Sequence, residues 1–114
     1  MLVKRFKDAQ PYEAPNHWGV SGLRLQGFEE GGPTNQWVGY SQFLPGGGAG
    51  PDSTPFEKVY VVIDGEMTLE IDGEVTVLQA MDSCTIPAGE VRLLENRSNH
   101  VAKMLVVIPY PPTA

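Results

Sequence analysis

The stretch "GPDSTPFEKVYVVIDGEM", residues 50–67, carries the clearest β-strand pattern of this chain. It leaves a Gly/Pro-rich segment and enters "KVYVVID" (58–64), a β-branched and aromatic run that is typical of a strand. Gly65 then turns the chain, and "EMTLEID" (66–72) alternates apolar and polar side chains as a half-exposed strand does. The stretch therefore predicts two consecutive strands joined by a tight turn.

The same rhythm of short strands and turns continues on both sides of this pair. Apolar and polar residues alternate along 19–28 and along 35–47, and "DGE" (72–74) is a strong hairpin-turn signal before "VTVL". With 13 Gly and 10 Pro and no helical periodicity, the sequence predicts an all-β fold of roughly eight or more strands in a closed or sandwich-like barrel. The segment "PGGGAGP" (45–51) is expected to be a flexible loop.

Composition narrows the classes of function. A net charge of -6 and scattered basic residues argue against nucleic-acid binding. No apolar run approaches the roughly 18 residues of a membrane span, and the N-terminus has no signal-peptide pattern. A single cysteine, Cys84, fits a reducing compartment. We therefore expect one cytoplasmic domain that contacts neither nucleic acid nor membrane.

Two spaced motifs surround the opening stretch. The first has Gly46, five residues, Asp52, one residue, Thr54, three residues, Lys58, six residues and Gly65. In the second, five residues follow Met81, then come Pro87-Ala88-Gly89, two residues, Arg92, three residues and Asn96. This pair of spacings resembles the two motifs of the cupin superfamily, over roughly residues 37–110.

The resemblance implies a single-domain cupin, a jelly-roll barrel also described as a double-stranded β-helix. Residues 1–36 would supply N-terminal strands and loops that pack on the barrel or on a partner. Residues 37–110 would form the core barrel, and 111–114 a C-terminal tail. Cupins also imply a homodimer, which would cover the edges of the barrel.

The resemblance does not extend to the metal ligands. The family's two histidines, its glutamate and its third histidine fall on Asp52, Thr54, Lys58 and Arg92. Lysine and arginine cations have no lone pair to donate, so we expect no conventional metal cofactor. A register shift of one residue would instead turn Glu57 inward, and an Asp52/Glu57 pair would then form an atypical metal site.

In the family register, Lys58 and Arg92 point into the mouth of the barrel. Two buried cations need acidic partners, water or an anionic ligand. We expect them to bind a small anionic carboxylate or carbonyl metabolite, together with Asp52, Thr54 and Tyr60, which shares a strand face with Lys58. His17 is a further candidate, because it could reach the rim of the pocket as an acid or base.

These residues leave several functions open. The first is a metal-independent isomerase, lyase, decarboxylase or cyclase in which Lys58, Arg92 and His17 are catalytic. A second is a non-catalytic protein that binds or senses a small molecule in the same pocket. A third is a structural relic in which Asp52 and Arg92 form an internal salt bridge and the barrel only stabilises an oligomer.

Overall fold

A computed structural model describes residues 1–111, and their regular secondary structure is almost entirely β. A 3-10 turn at Phe6–Asp8 precedes nine strands in this range: β1 (Gln10–Tyr12), β2 (His17–Gln26), β3 (Gln36–Asp52), β4 (Lys58–Asp64), β5 (Glu66–Ile71), β6 (Glu74–Gln79), β7 (Ser83–Ile86), β8 (Arg92–Glu95) and β9 (Ala102–Pro109). The all-β prediction is confirmed, and so is the hairpin between β5 and β6. Most of the expected tail, residues 112–114, lies outside the described range.

The long strand β3 lies at the centre of a single nine-stranded sheet that curls into a barrel. Its first part, Gln36–Phe43, pairs with β9, and its last part, Gly48–Asp52, pairs with β8. The strand order is β6-β5-β8-β3-β9-β4-β7, while β2 runs along the free side of β3 and β1 adds to β2. The result is the expected jelly roll, a nearly closed barrel whose seam lies between β6 and β7.

The segment 45–51 is not the flexible loop that its composition suggested. It belongs to β3, and residues 47–50 are buried. Gly48 pairs with Trp18 on β2 and with Glu95 on β8, and a Cβ at this position would lie 2.9 Å from the Trp18 ring. The prediction was wrong because these glycines allow close approach of neighbouring strands rather than chain flexibility.

The interior is filled by alternate side chains of the central strands. Its buried apolar members are Phe43, Ala49, Tyr60, Val62, Met67, Leu69, Leu78, Ile86, Leu94, Ala102 and Met104. The sequence left the inward face of 35–47 undecided. The structure buries Gly39, Ser41 and Phe43 and leaves their neighbours less buried. The small side chain of Ser41 lines an open space in the barrel, whereas Gly39 lets the side chains of Tyr12, Trp37 and Val106 pack closely against the strand.

No helix in residues 1–111 has the length and apolarity that a membrane crossing requires.

Candidate ligand site in the barrel mouth

A cavity of about 230 Å³ occupies the mouth of the barrel. It brings together all six residues that the sequence suggested for the site: His17, Asp52, Thr54, Lys58, Tyr60 and Arg92. They come from β2, from the end of β3 and the turn after it, and from β4 and β8. The motif spacing therefore located the cavity.

The register of β4 decides which charged side chain enters the barrel. Lys58 is 4% exposed and Tyr60 is equally buried, whereas Glu57 is exposed to solvent. Neighbouring residues on a strand face opposite sides, so Lys58 and Glu57 cannot both point inward. The alternative in which Glu57 turns inward is therefore wrong.

Arg92 is buried without an acidic partner. Its side chain is 5% exposed, its Nε donates a hydrogen bond to the Tyr60 hydroxyl at 2.9 Å, and its Nη1 has no hydrogen-bond partner in residues 1–111. Asp52 is its neighbour in the β3–β8 register, but the Asp52 carboxylate accepts a hydrogen bond from the Ser53 amide at 2.8 Å. The expected alternative of an Asp52–Arg92 salt bridge is thus contradicted within this range.

Gly50 makes room for the Arg92 guanidinium. A Cβ at this position would lie 2.6 Å from Nη1, and the backbone φ of Gly50 is +98°, where a side chain would be strained. Any residue other than glycine would displace either the strand or the arginine. Sequence reasoning did not single out this glycine, because it looked like one member of a flexible run.

Lys58 is a second buried cation next to the first. Its Nζ lies 5.9 Å from the centre of the Tyr60 ring, and no acid within residues 1–111 forms an ion pair with it. Burial, and then the positive charge of Arg92, lower the pKa of Lys58 from 10.5 to about 8, against a smaller opposing effect of Asp52. A substantial fraction of Lys58 is therefore a neutral amine at mildly alkaline pH.

His17 supplies a basic nitrogen at the same cavity. Its Nδ1 lies 2.7 Å from the carbonyl oxygen of Pro15. A carbonyl only accepts hydrogen bonds, so Nδ1 carries the proton and, in the neutral ring, Nε2 keeps its lone pair. Burial is the largest cause that lowers the pKa of His17, and the charges of Arg92 and Lys58 lower it further. His17 is therefore neutral at pH 7 and can accept a proton.

Three lining residues that carry hydrogen-bonding groups were not among those suggested from the sequence: Tyr12, Trp37 and Ser41. The Tyr12 and Trp37 rings meet edge to face at 5.2 Å, and the guanidinium of Arg24 lies over both rings at 5.0 and 5.2 Å. Burial raises the pKa of Tyr12, so its phenol stays protonated and can donate a hydrogen bond. Trp37 and Ser41 lie on the same face of the alternating stretch 35–47, and this alternation was the only sequence signal that could have placed them at the cavity. No such signal existed for Tyr12.

The rest of the cavity wall is apolar. Phe43, Leu94, Met104, Val106 and Ile108 line it. A hydroxyl group pressed against these side chains would lose its hydrogen bonds to water without replacement. The cavity therefore suits a ligand with one polar, negatively charged part and one apolar part.

The donor set does not fit a metal ion. Asp52, Thr54, Lys58 and Arg92 fill the four motif positions, and only Asp52 is an ordinary ligand among them. The Thr54 hydroxyl already donates to the carbonyl of Phe56 at 2.8 Å. Residues 1–111 contain no cluster of three or more His, Cys, Asp or Glu side chains that could hold a metal. Both cations would also repel a divalent ion.

Comparisons with known proteins agree with this architecture. A β-D-galactosidase of Mycobacterium tuberculosis, Rv1717, is 44% identical over 111 residues, which cover 97% of this chain and 96% of that protein. The polyketide cyclase RemF of Streptomyces resistomycificus superposes with a TM-score of 0.85 at 20% identity, covering 98% of this chain and 82% of the cyclase. A sugar phosphate isomerase from the cupin superfamily of Silicibacter pomeroyi gives 0.72 at 26% identity, covering 82% of this chain and 61% of the isomerase.

The family model described as "Cupin domain" matches residues 39–108, more than half of the chain. This range includes both motifs, β4 to β8 and most of β3 and β9. The chain therefore belongs to the cupin domain family.

Proposed function

We propose that the barrel mouth binds a small carbonyl-containing acid and stabilises the negative charge that develops on it when a proton leaves the carbon next to the carbonyl. One observation carries this proposal: two buried cations, Lys58 and Arg92, share a cavity and form no ion pair with any acid in residues 1–111. Buried charges without partners are costly, and an anionic ligand would offset that cost.

The chemistry of an enolate fits the other groups at the cavity. Isomerases, lyases, decarboxylases and cyclases that act beside a carbonyl share a transition state with negative charge on oxygen. Arg92 and Lys58 would hold that charge, while neutral His17 would take the proton through Nε2. Burial, the largest cause, keeps the pKa of Tyr60 raised, so its hydroxyl remains available as a further donor.

Binding and catalysis are tested together by proton exchange. We would incubate the protein in D₂O with 4-methyl-2-oxopentanoate, a compact acid with an apolar tail, and follow loss of its C3 proton signals by NMR. The wild type is expected to accelerate this exchange, and His17→Gln to abolish the acceleration while still binding the acid. Binding without acceleration in the wild type would support the non-catalytic alternative, and no binding would contradict the proposal.

A second candidate is β-D-galactoside hydrolysis, which the 44% identity with the mycobacterial enzyme over nearly the whole chain favours. Most glycosidases use two carboxylates at the scissile bond. Among the described residues that line the cavity, Asp52 alone carries a carboxylate. A hydrolase here would therefore pair Asp52 with a different acid, and protonated Lys58 and Tyr60 are the available donors.

Hydrolysis of p-nitrophenyl β-D-galactoside distinguishes the two candidates. Turnover that disappears in Asp52→Asn but survives in Arg92→Met would support the galactosidase and contradict our first proposal. The absence of turnover in folded wild-type protein that binds the oxo acid would exclude galactoside hydrolysis.

A further inference from the structure

Lys58 has the surroundings of a nucleophile as well as those of a fixed charge. The proposed function requires only its positive charge. Yet the residue is 4% exposed and lines the cavity, and its amine forms neither a salt bridge nor a hydrogen bond within residues 1–111. Lysines that react with carbonyl compounds typically lie in such desolvated sites beside another cation.

The groups around Lys58 can bind the carboxylate of a substrate and transfer protons, as a covalent reaction of the amine requires. Arg92 lies against the same tyrosine, with Nε 2.9 Å from the Tyr60 hydroxyl, and presents a guanidinium that matches a carboxylate. His17 offers a free Nε2 for proton transfer, and Asp52 is the acidic side chain that lines the cavity with them. The apolar wall can take a hydrocarbon tail.

We propose that Lys58 forms an imine with the keto carbon of a 2-oxo acid that has an apolar side chain, while Arg92 binds its carboxylate. This inference rests on the proposed function and names the substrate class of the same cavity. A 2-oxo acid places an electrophilic carbon directly beside a carboxylate, as the neighbouring amine and guanidinium require. A cavity of about 230 Å³ limits the ligand to a compact molecule.

The step balances without an oxidant or reductant. His17 first takes a proton from the Lys58 ammonium, and the neutral amine attacks the carbonyl carbon. A C–N bond forms, and the carbonyl π electrons move to oxygen. Proton transfers then release that oxygen as water and leave a protonated imine. Overall, the ammonium and the ketone give an iminium ion and one water molecule. A pKa of about 8 leaves about a tenth of Lys58 neutral at pH 7, which supports the first step.

Reductive trapping tests the imine directly. We would incubate the protein with 4-methyl-2-oxopentanoate and sodium cyanoborohydride, and locate the adduct by mass spectrometry of peptides. One reduced ligand per chain on Lys58 is expected. Lys58→Met and Lys58→Arg should give no adduct, and the matched surface variant Lys7→Met should react like the wild type. Circular dichroism would show that each variant is folded.

The role of Arg92 has its own readout. In Arg92→Met, trapping of the oxo acid should slow roughly tenfold or more, because a charged hydrogen bond is lost. Trapping of the neutral ketone 4-methyl-2-pentanone should slow less, only to the extent that loss of the Arg92 charge raises the pKa of Lys58 and leaves less neutral amine. Equal slowing of both compounds would contradict the assignment of the carboxylate to Arg92.

Failure of the imine can be separated from failure of the proposed function. If 4-methylpentanoate, which has no keto group, still binds in an Arg92-dependent way but no adduct forms, the imine is refuted and the anion site stands. If neither binding nor an adduct is found, both fail. An adduct that forms on other amines and persists in Lys58→Met would show random surface chemistry and would also refute the inference.

Discussion

Two buried polar residues of the second motif, Arg92 at the start of β8 and Asn96 directly after its end, differ in how many hydrogen bonds they form. Asn96 is fully buried, and its amide is saturated: Nδ2 donates to the carbonyls of Phe43 and His100, and Oδ1 accepts from the backbone and hydroxyl of Ser98. Arg92 is almost as deeply buried, but it makes one hydrogen bond and leaves Nη1 unpartnered within residues 1–111.

The difference separates structure from binding. Asn96 ties β8 to β3 and to the loop before β9, so its polarity is consumed inside the fold. Arg92 and its neighbour Lys58 instead line a cavity, where their charged groups are available to a ligand. A buried polar group that the protein itself satisfies stabilises the fold, whereas one that it leaves unsatisfied destabilises the empty protein and is available to a ligand.

We expect the largest change in the free energy of unfolding at Asn96, whose amide is fully hydrogen-bonded. Asn96→Ala removes four hydrogen bonds, among them the one that the buried Phe43 carbonyl accepts and the one that the Ser98 amide donates. We expect the free energy of unfolding to fall by about 4 kcal/mol in urea titrations, with ligand affinity unchanged in the protein that remains folded. Ser98→Ala, which removes fewer bonds, is the graded control. A smaller loss of stability in Asn96→Ala than in Ser98→Ala would contradict the structural role assigned to Asn96.

At Lys58 we expect the opposite effect on stability: replacing this residue should stabilise the protein at neutral pH, and the effect should depend on pH. The pKa of Lys58 is about 8 in the fold, below its ordinary value of 10.5, so the native state binds fewer protons between these values. The stability contributed by this site therefore rises with pH across that window, by up to roughly 3 kcal/mol.

The measurement compares the wild type with Lys58→Met from pH 7 to 10.5, because the tyrosines and the cysteine titrate in both proteins. Lys58→Met is expected to be the more stable protein at pH 7, and its advantage should shrink as the pH rises. A constant difference across the range would show that Lys58 is not destabilised by burial.

Arg92→Met tests whether the incompletely hydrogen-bonded guanidinium binds the ligand. The methionine fills similar space without a charge, so we expect stability to be kept or slightly raised. Affinity for 4-methylpentanoate should fall about 30-fold, or about 2 kcal/mol, because the guanidinium–carboxylate bond is lost. Thermal shifts across a concentration series would measure both quantities. Strong destabilisation would place Arg92 with Asn96, as a structural residue.

The smallest effect is expected at Glu57. Its side chain is exposed, so Glu57→Gln should change the free energy of unfolding by less than about 0.5 kcal/mol. Added Mn²⁺ or Ni²⁺ should shift the melting temperature of this variant and of the wild type equally. A metal-dependent shift that Glu57→Gln removes would revive the Asp52/Glu57 metal site.

The sequence predicted most of the fold and the location of the site, because turn residues at fixed spacings set both. It placed Lys58, Tyr60 and Arg92 at the cavity through strand alternation and motif register. It could not decide between Lys58 and Glu57, because 59–62 is apolar on both faces. It also missed Tyr12 and the role of Gly50, since their contacts with Trp37 and Arg92 join residues that are distant in the chain.

We propose that fixed positive charge, rather than a metal ion, contacts the ligand in this barrel. Calorimetric titrations of 4-methylpentanoate and of its neutral analogue, 4-methylpentanamide, would measure the contribution of that charge. The wild type should bind the acid more tightly than the amide, and Arg92→Met and Lys58→Met should each reduce that preference. Equal affinity for acid and amide in the wild type, or a preference for the acid that both variants retain, would contradict the account.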